Sequence, residues 1–271
     1  MSNESISDAI ISSRDDRRRL KLDFLRIGVG ICIVALYWSS LSLVDFDLSR
    51  LIEGTPRMVS WAARAWPPDI KGLDLLLLRA AETVAMALVG TTIGVIIAAP
   101  LCVLASRNLN PFTGLYVAAR WIQNVLRGID SFIFAILFVV AVGLGPFAGV
   151  LGVSVHTAGV IAKLWSEAIE GVDRGPLDAA ALTGATRLKV MSYALLPDIM
   201  PSLTSVALYA LELNIRSSTV LGLVGAGGIG QELKNSVDLL FFPRILTILV
   251  IILIMVTVVD QLSAMIRRRM I

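Results

Sequence analysis

Three groups of residues in this sequence have types and spacings that could do chemistry. The first is Gly225-Ala-Gly-Gly-Ile-Gly230, which fits G-x-G-x-x-G, the turn that wraps a dinucleotide pyrophosphate. The second is His156, Lys163 and Glu167, which fall on one face of a helix. The third is Glu212, Asn214 and Arg216, a carboxylate and a guanidinium at i and i+4 with an amide between them. A metal centre is not expected. His156 is the only histidine, and no second His or Cys stands at ligand spacing from it. Cys32 and Cys102 lie far apart in apolar runs and read as small packing residues.

What these groups can do depends on their medium. Of the 271 residues, 56% are hydrophobic and 17% charged, and the mean hydropathy is +0.80. Soluble domains sit near 45–50% apolar and about 25% charged. The charge is also unevenly placed, leaving long apolar runs almost free of it. The expected class is therefore an all-α integral membrane protein. A crossing helix needs about 20 apolar residues, which predicts six spans at about 27–44, 78–104, 129–144, 147–168, 199–222 and 244–265. Pro100 is expected to kink or end the second span. "GLGP" (143–146) divides the apolar run that extends from Phe132 to Ile161, and Pro243 suits the first turn of the last span. Residues 112–128, with Arg120 and Arg127, are amphipathic; they either lie at the inner surface or extend the third span inward. In the polar stretch 45–78, Arg57, Trp61 and Arg64 share a stripe that reads as an interfacial segment on the outer face.

Arg14, Arg17, Arg18, Arg19, Lys21 and Arg26 precede the first span, and Arg267, Arg268 and Arg269 follow the last. By the positive-inside rule both termini are cytoplasmic. Beside hydrophobic spans these charges are topology signals, so no nucleic-acid partner is expected. No small-residue cleavage site precedes Asp45, and the first span reads as a retained anchor. The predicted organisation is a basic tail (1–26), a first span with its outer loop (27–74) and a core (75–271) that contains a cytoplasmic loop (169–197). Six crossings then place the glycine run on the outer side.

In that setting the dinucleotide reading fails. The glycines follow a long apolar helix rather than a strand, and "ILVIIL" stands where a ribose-binding acid is needed; Asp260 comes too late. The charged residues inside spans carry more information, because a charge at mid-helix in lipid costs about 2.5–3.5 kcal/mol and must face protein or water. Glu212 and Arg216 either neutralise each other as a buried pair, or Arg216 with Asn214 lines a path for an anion. His156 is either a packed, hydrogen-bonded residue or, with Lys163, a contact on that path. Glu82 and Thr83 divide in the same way. Gly225, Gly227, Gly228 and Gly230 serve tight packing, an outer gate or a docking surface.

The stretch "DAAALTGATRLKVMSYALLP" (178–197) resembles the cytoplasmic loop of ABC importer permeases. Asp178, Ala179, Ala180, Gly184, Leu196 and Pro197 fall on the family spacing, with Asp178 in place of Glu and Ala194 in place of Ile. Small residues there let a short helix approach a partner closely, Gly184 permits a turn, and Pro197 is expected to stop or redirect the chain before the next span. "VVAVGLGPFAGVLGVSVHTAGVIAKLWSEAIEGVD" and "LYALELNIRSSTVLGLVGAGGIG" are similar to the permease subunit of phosphonate importers. With the loop, the similarity covers roughly residues 75–265. "RGIDS" (127–131) departs from it at Asp130 and Ser131, where relatives often carry Pro or Asn followed by Glu.

The resemblance implies a type I ABC importer permease fold, with a coupling helix seated in a separate ATP-binding subunit. It implies a homodimer in the lipid of a bacterial inner membrane, served by an ATPase dimer and an extracytoplasmic phosphonate-binding protein. The chain itself would be non-catalytic and bind no cofactor. It has no G-x-x-x-x-G-K-[ST] loop, so ATP and Mg belong to the partner ATPase. The alternatives are an ABC permease for methionine or a quaternary amine, an ATP-independent secondary transporter or channel, and a membrane oxidoreductase. No internal repeat supports the secondary transporter.

Overall fold

Backbone in hydrocarbon must satisfy its own hydrogen bonds, which leaves helices as the solution for apolar runs of this length. The structure, a computed structural model, describes residue 26 and residues 28–270, and every regular element among them is helical. Arg14, Arg17, Arg18, Arg19 and Lys21 lie outside the described residues. The chain divides into two units at Ser60 and Trp61. The first holds α1 (Gly28–Leu43) and most of α2 (Leu48–Ala65), bent from each other by 47°. Helix α2 carries Arg57, Trp61 and Arg64 and has no buried residue.

The second unit runs through α3 (Leu73–Leu104), α4 (Thr113–Gly128), α5 (Ser131–Val142), α6 (Pro146–Glu170), α7 (Arg174–Leu182), α8 (Arg187–Val190), α9 (Leu196–Leu221), α10 (Gly228–Asp238) and α11 (Phe242–Met270). Four helical runs are long and apolar enough to cross a membrane: α3, α6, Met191–Val224 around α9, and α11. The number becomes six if the bent pairs α1–α2 and α4–α5 each make one span. This is the expected class, with two corrections.

The third span is not one straight helix. Helix α5 has 12 residues, about 18 Å, against a hydrocarbon core of about 30 Å. It meets α4 at 87°. The cause is local: Asp130 is extended (φ −66°, ψ 150°) and its carboxylate accepts from Phe132 N at 2.8 Å, so a new helix starts there. Pro100 lies inside α3, which ends at Leu104 as expected. Pro197 does not stop the chain. It sits in the first turn of α9, directly after a π-helical turn over Met191–Leu195. A wider turn at that point tolerates the missing proline N–H.

The core is built on close approach of small residues. Helices α3 and α6 lie side by side: a Cβ added to Gly90 would meet Val153 Cγ1 at 2.8 Å, and one at Gly94 would meet Thr157 Cβ at 2.9 Å. Gly90-x-x-x-Gly94 is the small-residue spacing that lets membrane helices touch along their backbones. Gly152 does the same against the Ala135 backbone of α5 (2.7 Å), and Gly159 against Leu126 Cβ of α4 (2.6 Å).

Candidate functional site

Helix α6 is about 37 Å long at 1.5 Å per residue, and its two ends carry the two candidate regions. At the C-terminal end, Asp173 caps α7 by accepting from Gly175 N at 3.1 Å. Gly184 follows the helix with φ +76°, the conformation glycine is suited to. Asp178, Ala179 and Pro197 are exposed and Ala180 is half-buried. Leu182 is 89% exposed, Tyr193 82% and Leu196 45%. Small residues beside large uncovered apolar ones make a surface suited to a protein partner.

The base of this region is held by charge. Glu170, ending α6, accepts from Arg107 N at 2.9 Å and from Arg120 at 2.7 Å. Arg120 also donates to Ala105 O at 2.9 Å, and both arginines lie over the Tyr116 ring, at 5.2 and 5.3 Å. Arg120 thus ties α4 to the ends of α3 and α6. A cavity of about 490 Å³ separates α7 from the 106–111 loop, lined in part by Arg107, Asn108 and Asp178.

At the N-terminal end of α6 sits the glycine run. Gly225, Gly227 and Gly228 have φ of 87°, 80° and 69°. Gly145 N donates to Gly225 O at 2.9 Å, and Ile229 N donates to Thr83 Oγ1 at 2.9 Å. A Cβ on Gly230 would lie 1.8 Å from Thr219 O, and one on Gly222 2.6 Å from Gly230 Cα. The run packs the start of α10 onto the end of α9. Gly227, Gly228 and Gly230 are buried, which leaves half-buried Gly225 as the one with surface to offer. Ion pairs fasten α10 further: Glu232 meets Arg244 at 3.1 Å and Arg79 at 4.0 Å, and Arg79 also holds Glu82 at 2.8 Å. Beside the run is a cavity of about 480 Å³, with Ile136, Val139 and Val140 of α5 on one wall and Gln231, Lys234 and Asn235 of α10 on another.

Between the ends, Asn214 is buried. Its Nδ2 donates to Thr91 Oγ1 at 2.8 Å and lies 2.9 Å from Thr157 Oγ1, so it joins α3, α6 and α9 in one polar knot. The expected pair between Glu212 and Arg216 does not form. Arg216 pairs with Asp260 at 3.0 Å, and Glu212 with Arg267. Helix α11 runs antiparallel to α9 and offers each charge an opposite one, which gives both a partner across the interface. His156 Nδ1 lies 2.8 Å from Ile129 O, while Lys163 and Glu167 pair at 2.8 Å. The three share a face but do not converge on one point. Among the described residues no cluster could hold a metal ion. Sequence reasoning missed Thr91, Thr157 and Asp260. The Gly90-x-x-x-Gly94 spacing could have brought α3 against α6 and exposed the two threonines.

A family model described as "Binding-protein-dependent transport system inner membrane component" matches residues 90–271. HtxC of Stutzerimonas stutzeri, which carries the name of a phosphite transport system permease, is 44% identical over 98% of this chain and 93% of its own length. The phosphite transport system permease protein PtxC of the same organism is 38% identical over 92% and 89%. Among solved structures, a chain of the inward-facing MetNI methionine ABC transporter superposes with a TM-score of 0.65 at 27% identity, covering 74% of this chain and 99% of that one.

Proposed function

The chain belongs to the binding-protein-dependent transport system inner membrane components, and from that premise we propose that it forms the membrane path for phosphite, a phosphonate or a related phosphorus oxyanion. It is the permease subunit of an ABC importer, non-catalytic itself, and ATP is hydrolysed by a separate subunit. One observation carries the substrate reading. Identity to the two phosphite permeases is 44% and 38% over at least nine-tenths of the chain, against 27% over 74% for the methionine transporter.

The chain works as a homodimer in the bacterial inner membrane, with both termini in the cytoplasm. Helix α7, with Asp178, Ala179, Ala180 and Gly184, seats in the ATPase dimer, and exposed Leu182 and Tyr193 enter the same contact. ATP and Mg are bound there, outside this chain. A phosphonate- or phosphite-binding protein docks at the opposite end, where Gly225 is accessible and the buried glycines fix the position of α10. Closure of the ATPases moves α7, and the packed helices switch between two arrangements as rigid bodies. Arg216 stays in reach of the path because its pair with Asp260 is half-exposed.

The test is reconstitution with the ATPase and the binding protein in proteoliposomes. Phosphite, phosphonates, phosphate and methionine are compared for stimulated ATP hydrolysis and uptake. Stimulation by the phosphorus oxyanions is expected; stimulation by methionine alone would overturn the reading.

A further inference from the structure

We propose that Arg127, at the break between α4 and α5, is the mid-membrane contact for the transported anion. The inference rests on the phosphorus-oxyanion reading above and names a residue of that path. Depth is fixed by α6. Leu126 packs on Gly159, where an added Cβ would meet its Cβ at 2.6 Å and Arg127 N at 2.7 Å. His156 Nδ1 meets Ile129 O at 2.8 Å. Residues 156–159 are the middle of α6, about 15–21 Å from either end.

The chain is not helical there, since Ile129 and Asp130 are extended. Non-helical backbone at membrane depth persists only when it is buried in protein or lines water. The side chain of Arg127 is exposed, and it has no hydrogen bond or ion pair to any described residue. Charges on the neighbouring helices α6, α9 and α11 are paired at Lys163 with Glu167, Arg216 with Asp260 and Glu212 with Arg267. An arginine at half-depth that faced lipid would meet the full insertion penalty. Arg127 therefore faces water or a partner that carries negative charge.

The surroundings select a mobile anion. Helix α5 leads from this break toward the 480 Å³ cavity, where Lys234 likewise has no ion pair to a described residue. An anion entering at the cavity meets a cation near each end of α5. Gln123, one turn from Arg127 on α4, is fully buried, and neither polar atom of its amide has a partner among the described residues. The nearby carboxylate of Asp130 is turned back onto Phe132 N. It keeps the hold on an anion weak, as conduction requires.

The test uses the complete complex with ATPase and binding protein in proteoliposomes, with radiolabelled phosphite as probe. Arg127→Gln is expected to assemble at wild-type yield and to lose uptake by on the order of ten-fold or more, the worth of one charged hydrogen bond. Arg127→Lys keeps the charge but not the planar fork, and is expected to assemble and raise the KM for phosphite several-fold. An active wild type with both variants unchanged in uptake and KM overturns this inference alone. Loss of assembly in Arg127→Gln together with an unchanged KM in Arg127→Lys also overturns it, since the guanidinium would then be a subunit contact. A wild type that takes up no phosphite, phosphonate or phosphate overturns the substrate reading, and this inference with it.

Discussion

Replacing Gly230 with alanine should separate α9 from α10. The new Cβ would sit 1.8 Å from Thr219 O, 2.9 Å from Thr219 C and 3.0 Å from Gly222 Cα, all of them backbone atoms. No rotamer change relieves such a clash. Ordinary contact begins near 3.4 Å, so the two backbones must part by about 1.6 Å, the difference between 3.4 and 1.8 Å. That movement pulls on the bond from Ile229 N to Thr83 Oγ1, which ties the same turn to α3. Overpacking costs about 1–3 kcal/mol, and the upper end applies where backbone has to move. At roughly 2–4 °C per kcal/mol for a chain of this size, Tm should fall by about 6–12 °C. The assay is thermal unfolding of the purified complex at a fixed scan rate. Gly114→Ala is the control, because nothing lies within 4 Å of a Cβ there and alanine favours a helix by about 0.5–1 kcal/mol over glycine. A Gly230→Ala protein that melts within about a degree of wild type would refute the close-packing account of the glycine run.

Gly184→Val forces a branched side chain into φ +76° at a cost of roughly 1–2 kcal/mol. It should leave ATP hydrolysis running while uptake falls, and unchanged coupled transport would count against docking by α7. Asn214→Leu removes the links to Thr91 and Thr157, each worth about 0.6 and at most about 1.7 kcal/mol in a membrane bundle. The expected loss is about 1–2 kcal/mol by equilibrium unfolding in mixed micelles. For Arg216 and Asp260, side chains 53% and 39% exposed, a double-mutant cycle should give a coupling below about 1 kcal/mol. If Arg216 serves the path, Arg216→Ala lowers uptake more than Asp260→Ala; equal losses would indicate a structural pair only.

The helical class was legible because the bilayer permits little else, and the starts of α6 and α11 were legible because Pro146 and Pro243 interrupt what precedes them. The loop around Asp178 and Gly184 was legible because its spacing is unusual. Partners across helices were not. The i,i+4 rule sees one helix at a time, and the true partners of Glu212 and Arg216 depend on which helix lies alongside α9. Burial of Asn214 was hidden for the same reason, since Thr91 and Thr157 come from two other helices. The glycine run shows the limit most clearly. Its spacing matched a cofactor turn, while its cause is the approach of Thr219 O to Gly230, a contact that only the folded chain contains.

The break at Asp130 was present in the sequence in a form that composition cannot register. The expected third span (129–144) began beside this break, but its apolar content does not show that α5 has only 12 residues and turns by 87° from α4. Asp130 and Ser131 stood out as a departure from the pattern of the resembling permeases, where Pro or Asn followed by Glu is frequent. In physical terms the departure is small. A proline in the first turn and an aspartate at the N-cap both start a helix, one by fixing φ and the other by accepting a free backbone N–H. Asp130 accepts from Phe132 N at 2.8 Å, so the chain keeps the helix start by different chemistry.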